Sequence, residues 1–145
     1  MLRKLGVMLL VVSGTFWPAE ASRNPWVEDR HCFADQTIHF PSRQSALDAH
    51  AQQSIAIVAA YLAAHSKSRV EIEGHCDRRG TEEYNRILGE ARAMAAKEAL
   101  IRLGVDAERI YTISFGEDRP AASGWSFRSF SRNRRVEFLL LTPAF

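Results

Sequence analysis

The segment 69–104 constrains the fold of this chain more than any other part of the sequence. Its first five residues, 69–73, alternate polar and apolar side chains, which predicts a half-buried strand with Val70 and Ile72 facing inward. A polar loop follows at 75–80, and a long stretch with helical periodicity comes after it. A strand that leads through a short loop into a helix is typical of layered α/β folds, so we expect a fold of that class.

The helix after this loop is predicted from Thr81 to Leu103. The Thr81 hydroxyl can accept a hydrogen bond from a free N–H group of the first turn, and Gly104 is a typical C-terminal stop. Gly89 lies inside the helix and costs about 1 kcal/mol relative to alanine. Apolar residues at helical spacing predict one buried stripe: Tyr84, Leu88, Ala91, Ala95, Ala99 and Leu103.

Four further elements are predicted around this unit. A helix is expected from Ser45 to His65, and short strands are expected over 36–40, 110–115 and 135–141. The inward stripe of the first helix consists of Leu47, Ala51, Ile55, Val58 and Leu62. In the last strand, Val136, Phe138 and Leu140 share one face.

The predicted order of elements is β-α-β-α-β-β. Strands that are joined through helices favour parallel neighbours and right-handed crossovers. We therefore expect an α/β two-layer sandwich, in which two helices cover one face of a mixed sheet of about four strands. Residues 22–36 are predicted to be an irregular lead-in, and 117–131 a long loop.

The first 21 residues have the pattern of a secretory signal peptide. Arg3 and Lys4 precede an apolar run at 5–17, which is shorter than the about 20 residues of a membrane span. Ala19 and Ala21 predict cleavage after residue 21, with an uncleaved N-terminal anchor as the alternative. The run does not end in a cysteine, so no lipid attachment is expected. These boundaries divide the chain into a signal peptide at 1–21, the lead-in at 22–36 and one domain at 37–145.

Charge and cysteine content limit the function classes. The chain carries 19 Lys and Arg against 17 Asp and Glu, a formal net charge of +2. Nucleic-acid-binding domains usually need a strongly basic face, so the near balance argues against that class despite several arginines between 128 and 135. Cys32 and Cys76 can pair in an oxidising compartment or remain free, and the sequence leaves both states open.

Spaced residues between Val70 and Ala93 form a longer motif. After the strand comes Gly-His-x-Asp-x-x-Gly-[Ser/Thr]-x-x-Tyr-Asn, followed by Leu-[Ser/Gly]-x-x-Arg-Ala. Its positions here are Gly74, His75, Asp77, Gly80, Thr81, Tyr84, Asn85, Leu88, Gly89, Arg92 and Ala93. This pattern resembles the OmpA-like peptidoglycan-binding domain. The run Gly-His-Cys-Asp-Arg-Arg-Gly-Thr at 74–81 is most similar to the peptidoglycan-associated lipoprotein branch, and the resemblance extends from about Thr37 to Leu141.

The resemblance implies a periplasmic domain, associated with the outer membrane, that holds the peptide stem of peptidoglycan without breaking it. The ligand group that the resemblance implies is diaminopimelate, which carries an ammonium and a carboxylate. Asp77 matches the family's carboxylate for the ammonium, and Arg92 matches its guanidinium, which suits a carboxylate in two parallel hydrogen bonds. Asn85 and Arg134 match supporting positions. Arg92 lies roughly 16 Å along the helix from Thr81, so Asp77 meets it only if the loop folds back.

Two segments depart from the family pattern. Acids usually follow the phenylalanine of the first strand, but here the run is Phe40-Pro41-Ser42-Arg43. The loop 125–130 is aromatic and basic where relatives often carry acids. An alternative function follows: an interaction module that keeps the fold, has weakened wall binding and docks an envelope protein such as a component of the Tol system.

Catalysis and metal binding have little support in the sequence. Glu71 and Glu73 alternate with apolar residues, which is typical of a solvated strand face rather than of the paired acids that a glycan hydrolase needs. His75, Cys76 and Asp77 are adjacent, and adjacent residues of an extended chain point to opposite faces. We therefore expect no enzymatic activity, no metal and no cofactor, with a small exported hydrolase as a minor alternative.

Overall fold

A computed structural model describes residues 24–145 of the chain. The predicted signal peptide at 1–21 lies outside these described residues. No helix among the residues that are described is long and apolar enough to cross a membrane. Short 3-10 turns occur at 34–36 and 107–109. The strands and helices are β1 (Trp26–Asp29), β2 (Ile38–His39), α1 (Ala49–Ala64), β3 (Arg69–His75), α2 (Glu82–Arg102), β4 (Ile110–Gly116), α3 (Phe127–Asn133) and β5 (Arg135–Pro143).

The strands form one mixed sheet with β5 and β3 at its centre. β3 runs parallel to β4, as expected for two strands joined through a helix, and antiparallel to β5. The opposite edge of β5 carries β1 at its C-terminal half and β2 at its beginning. In the central pair, Ile72 lies opposite Phe138 and Glu73 opposite Glu137. The end of β3 and the beginning of β5 therefore lie side by side at one end of the sheet.

Both long helices pack on the same face of this sheet and bury a continuous apolar core. From α1 the predicted stripe is confirmed, except that Leu47 is only partly buried and precedes the helix. The side chains Val136, Phe138 and Leu140 of β5 face this core as predicted. The remaining large members are Phe33, Ile38, Phe40, Val70, Ile72, Leu100, Val105 and Ile110. The predicted α/β sandwich is thus confirmed.

Two elements occur where the sequence predicted irregular structure. β1 lies in the lead-in, and α3 lies in the long loop before the last strand. The burial of the β1 residues does not alternate, so their sequence lacks the period of a half-buried strand. β1 is an edge strand whose position depends on its pairing with β5. α3 has seven residues, too few for a helical period, and begins at the Ser126 hydroxyl, which accepts a hydrogen bond from the N–H group of Ser129.

The predicted buried stripe of α2 is wrong, although its N-cap and its bounds agree with the prediction. Tyr84, Ala91 and Leu103 are exposed, and of the six predicted residues only Ala99 is buried. The face that is turned inward carries Asn85, Gly89, Arg92, Ala93, Ala96, Ala99 and Leu100. Two polar side chains and a glycine thus occupy the buried face near the N-terminus, because that part of the helix packs on the end of β3 rather than on apolar side chains.

The expectation that Glu73 lies on a solvated face is also wrong. Its side chain is 2% exposed, and both of its carboxylate oxygens accept hydrogen bonds from Nη1 of Arg30 at 2.9 Å. Arg30 follows β1, so the lead-in covers this part of the outer sheet face. The alternation of β3 identifies the outer face correctly, but the sequence does not reveal what covers it.

Candidate functional site

An open cleft of about 790 Å³ lies where β3 ends and α2 begins. All four residues that the motif predicted border this cleft: Asp77, Asn85, Arg92 and Arg134. The loop 76–81 supplies one wall and the first half of α2 supplies another. Arg134 directly precedes β5, and the beginning of β5 lies beside the end of β3. Arg134 therefore reaches the same site as Asp77, although 57 positions separate them in the sequence.

Asp77 is buried at the side of the cleft and accepts several hydrogen bonds. Its Oδ1 accepts from the main-chain N–H and from Nε of Arg79, each at 3.0 Å. Its Oδ2 accepts from Nη2 of Arg79 at 2.8 Å and from Nη1 of Arg134 at 3.4 Å. The carboxylate is therefore fixed in orientation and lies between two guanidinium groups.

These contacts set the charge of Asp77. Burial alone would raise the pKa of this carboxyl group, because it disfavours the charged form. The hydrogen bonds and the charge of Arg79, with the hydrogen bond from Arg134, outweigh burial and hold the pKa of Asp77 below its ordinary value. The side chain is thus an anion at neutral pH, as a partner for an ammonium group must be.

Arg92 has no exposed surface, and its guanidinium is largely committed to the protein main chain. Nε donates to the carbonyl of Gln44 at 2.8 Å, Nη1 to that of His75 at 2.9 Å and Nη2 to that of Pro41 at 3.2 Å. Nη1 also lies 3.5 Å from Sγ of Cys76. Arg92 therefore fastens the segment before α1 to the end of β3 and has few N–H groups left for a ligand.

The folding back of the loop, which the resemblance required, is present. Asn85, on the first turn of α2, donates from Nδ2 to the carbonyls of Asp77 at 3.2 Å and Arg79 at 3.0 Å, and to Oε2 of Glu117 at 2.7 Å. The loop is thereby held along the helix, and Asp77 and Arg92 border the same cleft. Asn85 thus holds the loop in place, which agrees with the supporting role that the resemblance implies for it.

The sequence analysis missed Arg79. It borders the cleft, bonds both oxygens of Asp77 and donates from Nη2 to Oγ of Ser42 at 3.3 Å. Its side chain is 39% exposed, whereas that of Asp77 is 8% exposed. The spacing Asp-x-Arg within a tight loop is the signal that could have identified this pair.

The altered segment 41–43 borders the cleft and leaves it open. Ser42 and Arg43 lie on its rim, and the carbonyl of Pro41 is a partner of Arg92. Arg43 has a positive φ of 60°, a conformation that non-glycine residues adopt rarely. The charge reversal at Arg43 adds a further cation to the three arginines that already border the cleft, and it does not fill the space.

Cys76 also borders the cleft, and its thiol donates to the carbonyl of Asn85 at 3.1 Å. Burial raises the pKa of this thiol, which keeps it neutral. Cys32 is exposed, and neither cysteine forms a disulfide within the described residues.

Three side chains that are able to bind a metal converge on the outer sheet face, away from the cleft. Ligand atoms of Glu73, His75 and Glu137 lie within 4.8 Å of one another. Arg30 pairs with Glu73 and Arg135 pairs with Glu137, so two guanidinium groups already balance the two carboxylates. Both ring nitrogens of His75 are buried without a hydrogen-bond partner, and Nε2 lies 3.7 Å from Glu73. The charge balance makes this cluster a structural contact between the lead-in and the sheet.

The chain is similar to OmpA-family proteins and to peptidoglycan-associated lipoproteins of bacteria. A family model described as the OmpA family matches residues 39–134. The chain is 41% identical over 99 residues to the peptidoglycan-associated lipoprotein of Mesorhizobium japonicum, an alignment that covers 68% of this chain and 59% of that protein. The chain thus spans somewhat more than half the length of the curated relatives that it matches.

Solved structures show the same fold. The crystal structure of the peptidoglycan-associated lipoprotein from Burkholderia pseudomallei superposes with a TM-score of 0.72 at 33% identity, covering 74% of this chain and 91% of that one. The cell wall anchor of the T6SS from Pseudomonas aeruginosa superposes with a TM-score of 0.61 at 28% identity, covering 74% of this chain and 79% of that one. None of the relatives named here carries the name of an enzyme.

Proposed function

This chain belongs to the OmpA family and resembles its peptidoglycan-associated lipoproteins, and on that premise we propose that it binds the stem peptide of peptidoglycan without cleaving it. The proposed ligand group is diaminopimelate, whose free end carries an ammonium and a carboxylate. The observation that carries the proposal is the Asp77 carboxylate, which is buried, ionised and placed at the side of an open cleft.

The ion pair between Asp77 and Arg79 has the charge pattern that a zwitterion can enter. The ligand ammonium takes the Asp77 carboxylate, and Arg79 turns from Asp77 to the ligand carboxylate, to which its planar guanidinium can donate two hydrogen bonds. Arg79 is the partner that moves because it is more exposed than Asp77. Each charged group then still has an opposite charge beside it, so binding leaves no ion unpaired.

The other predicted residues support this exchange. Asn85 keeps the loop in place, and Arg134 keeps its hydrogen bond to Oδ2 of Asp77 when Arg79 leaves. Arg92 contributes positive charge behind the cleft, because its guanidinium is fully buried and bonded to main-chain carbonyls. Its role for the ligand carboxylate is therefore mainly electrostatic, rather than a pair of parallel hydrogen bonds.

The proposed location follows from the proposed ligand. Peptidoglycan lies in the periplasm, and a chain with the predicted signal peptide would be exported to it. There the domain would link the wall to the envelope, in association with the outer membrane. No metal or cofactor takes part in the binding that is proposed here.

Co-sedimentation with purified diaminopimelate-type peptidoglycan tests the function. We expect the wild-type protein to pellet with the wall and Asp77→Asn to remain in the supernatant, with affinity lowered at least about tenfold, the loss of one charge-assisted contact. Asp35→Asn is the matched control, because Asp35 is an exposed aspartate outside the cleft. Equal pelleting of wild type and a folded Asp77→Asn variant would contradict the assignment of Asp77.

Arg92 needs a conservative variant in the same experiment. Arg92→Ala leaves main-chain carbonyls without their partner and is expected to lose stability. Arg92→Lys keeps the charge but not the guanidinium, and we expect it to retain part of the pelleting. Circular dichroism of both variants separates a loss of binding from a loss of fold.

The alternative is docking of an envelope protein, such as a component of the Tol system. The observation that favours it is the exposure of Trp125 and Phe127, two large aromatic side chains outside the core. If the folded wild-type protein does not pellet with the wall, this alternative takes the place of the first proposal.

A further inference from the structure

We infer that the side of the cleft around Trp125 is a second subsite, which takes the sugar that carries the stem peptide. This inference rests on the proposed function, and it extends the ligand from a peptide to a muropeptide. It concerns a loop that the family resemblance did not explain, because relatives often carry acids where this chain has aromatic and basic residues.

Trp125 is exposed yet held in one orientation. Its side chain is 69% exposed, and the next aromatic residue, Phe127, is 82% exposed. The guanidinium of Arg78 lies 4.2 Å from the centre of the Trp125 ring system, and the rings of Trp125 and Phe130 pack nearly perpendicular to each other with 6.1 Å between their centres. The residue directly after it, Ser126, caps α3. One face of the indole is thus covered by Arg78, while much of the remaining ring is open to solvent.

Trp125, Phe127 and the adjoining Arg78 form a surface that we call the platform. The platform is continuous with the cleft. Arg79, which binds Asp77, lies with its guanidinium 4.5 Å from the centre of the Phe130 ring, and Phe130 contacts Trp125. These contacts place the indole within about 15 Å of the Asp77 carboxylate when covalent lengths are added. Two or three extended residues span roughly 7–10 Å, which lies within this upper limit, so a stem peptide anchored by its third residue can place its sugar near the indole.

The chemistry of the platform suits a sugar. The face of an aromatic ring is electron-rich and attracts the weakly positive C–H groups that line one side of a pyranose. Arg78 beside the ring can donate hydrogen bonds to hydroxyl and acetamido oxygens. The covered indole face also fixes the ring beforehand, which lowers the entropy lost on binding.

The size of the platform favours a sugar over a protein. A fully buried aromatic side chain contributes about 150–250 Å², so Trp125 and Phe127 together offer only a few hundred Å². A stable protein interface needs about 800 Å² from each partner. One or two sugar rings match the smaller area, and the neighbouring peptide cleft supplies the rest of the binding surface.

Calorimetric titration with two probes tests the inference. The probes are the free stem tripeptide that ends in diaminopimelate and the same tripeptide attached to its disaccharide. We expect the wild-type protein to bind the disaccharide-tripeptide about tenfold more tightly. Trp125→Ala should reduce that affinity to the value for the free tripeptide and leave the free tripeptide unaffected, whereas Trp125→Phe should retain part of the gain.

A matched tryptophan controls for general effects. Trp26 also has an arginine over its ring, Arg69 at 4.5 Å, but it lies in β1 at the other end of β5 from the cleft. Trp26→Ala should leave both affinities unchanged.

Two outcomes would overturn the inference. Equal affinity of the wild-type protein for both probes would mean that the platform does not bind the sugar, and it would favour a protein partner for this surface. An equal loss of both affinities in Trp125→Ala would mean that Trp125 only supports the loop. Either result leaves the proposed function intact, because binding of the free tripeptide tests that function separately. Binding of neither probe would contradict the proposed function itself.

Discussion

Three arginines surround Asp77 or lie behind it, and their burial gives them different freedom to move. Arg92 is fully buried and bonded to main-chain carbonyls, so it is part of the framework. Arg134 is mostly buried and keeps one hydrogen bond to Asp77. Arg79 is the most exposed and holds Asp77 by two nitrogen atoms of its side chain. The residue that the sequence analysis missed is thus the one best able to exchange with a ligand.

Unfolding experiments at different pH values test the charge assigned to Asp77. Since the native pKa lies below that of an unfolded aspartate, the ionised carboxylate stabilises the fold, and wild type should exceed Asp77→Asn by about 1–3 kcal/mol at neutral pH. This advantage is complete above the unfolded pKa of about 3.9 and disappears as the pH falls through the lower native pKa. Urea unfolding at neutral pH and in steps down to about pH 3 measures the difference.

The control for this pH series is again Asp35→Asn, whose stability difference from wild type should be small throughout. A difference between wild type and Asp77→Asn that grows as the pH is lowered would show that the native pKa of Asp77 is raised instead. That result would contradict the charge state on which the proposed binding depends.

At the scale of elements, the close contact between α2 and β3 positions the cleft. A Cβ atom added to Gly74 would lie 1.9 Å from the carbonyl oxygen of Gly89, and one added to Gly89 would lie 2.2 Å from Oγ of Ser114. The helix therefore approaches the end of the strand at a point where neither residue has a side chain. This approach turns the Asn85 and Arg92 face of α2 inward, which explains why the apolar stripe predicted from the sequence is wrong.

Alanine substitutions at the two glycines test this contact. Gly89→Ala improves helix propensity by about 1 kcal/mol, yet we expect it to lower the free energy of unfolding because the added methyl group strikes Ser114. Gly74→Ala should cost more, about 3 kcal/mol, because it strikes main-chain atoms that cannot turn away. Thermal and urea unfolding of the variants measure both costs.

A second variant identifies the cause. Gly89→Ala combined with Ser114→Ala should recover part of the loss, since the nearest clashing atom is removed. Gly104→Ala is the comparison for a glycine in open space, where only its φ of 94° opposes a side chain. If Gly89→Ala stabilises the protein, the contact is looser than described.

At the scale of the whole molecule, the lead-in contacts one edge and both faces of the sheet. β1 pairs with the edge of β5, Arg30 reaches Glu73 on the outer face, and Phe33 enters the core against Tyr61 and Phe138. Burial alone would raise the pKa of Glu73, but the neighbouring His75 and Arg30 outweigh burial and hold that pKa below its ordinary value. A segment with no recognisable period in the sequence is therefore part of the folded unit.

Removing the Arg30–Glu73 contact should affect the whole fold. Arg30→Ala leaves the buried Glu73 carboxylate beside Glu137, and we expect a loss of about 1–2 kcal/mol, less than for a fully buried pair because Arg30 is half-exposed. The double variant with Glu73→Gln should recover part of this loss.

Arg86→Ala is the control for an exposed ion pair. It breaks a pair with Glu82 in which both side chains are mostly exposed, so it should cost at most about 0.5 kcal/mol. Equal losses in urea unfolding of Arg30→Ala and Arg86→Ala would contradict this role.

The elements with a clear period were predictable from the sequence. The stripe of α1 and the alternation at the beginning of β3 arise from local repetition, and the Thr81 cap arises from one side chain and its own turn. The family motif placed Asp77, Asn85, Arg92 and Arg134 around one site, and all four border the cleft. Their roles toward a ligand remain predictions, which the variants described above test.

Other features depend on residues that are far apart in the chain. The sequence by itself determined the α/β class, the long helices and the loop that carries Asp77, because helix periods, strand alternation and capping act between residues at most a few positions apart. Only the tertiary structure decided that Arg30 would cover Glu73, that glycines would turn Arg92 inward and that Trp125 would lie beside the cleft. The physical reason is that burial and pairing of polar groups depend on which surfaces meet after folding, and a local pattern does not specify its distant partner.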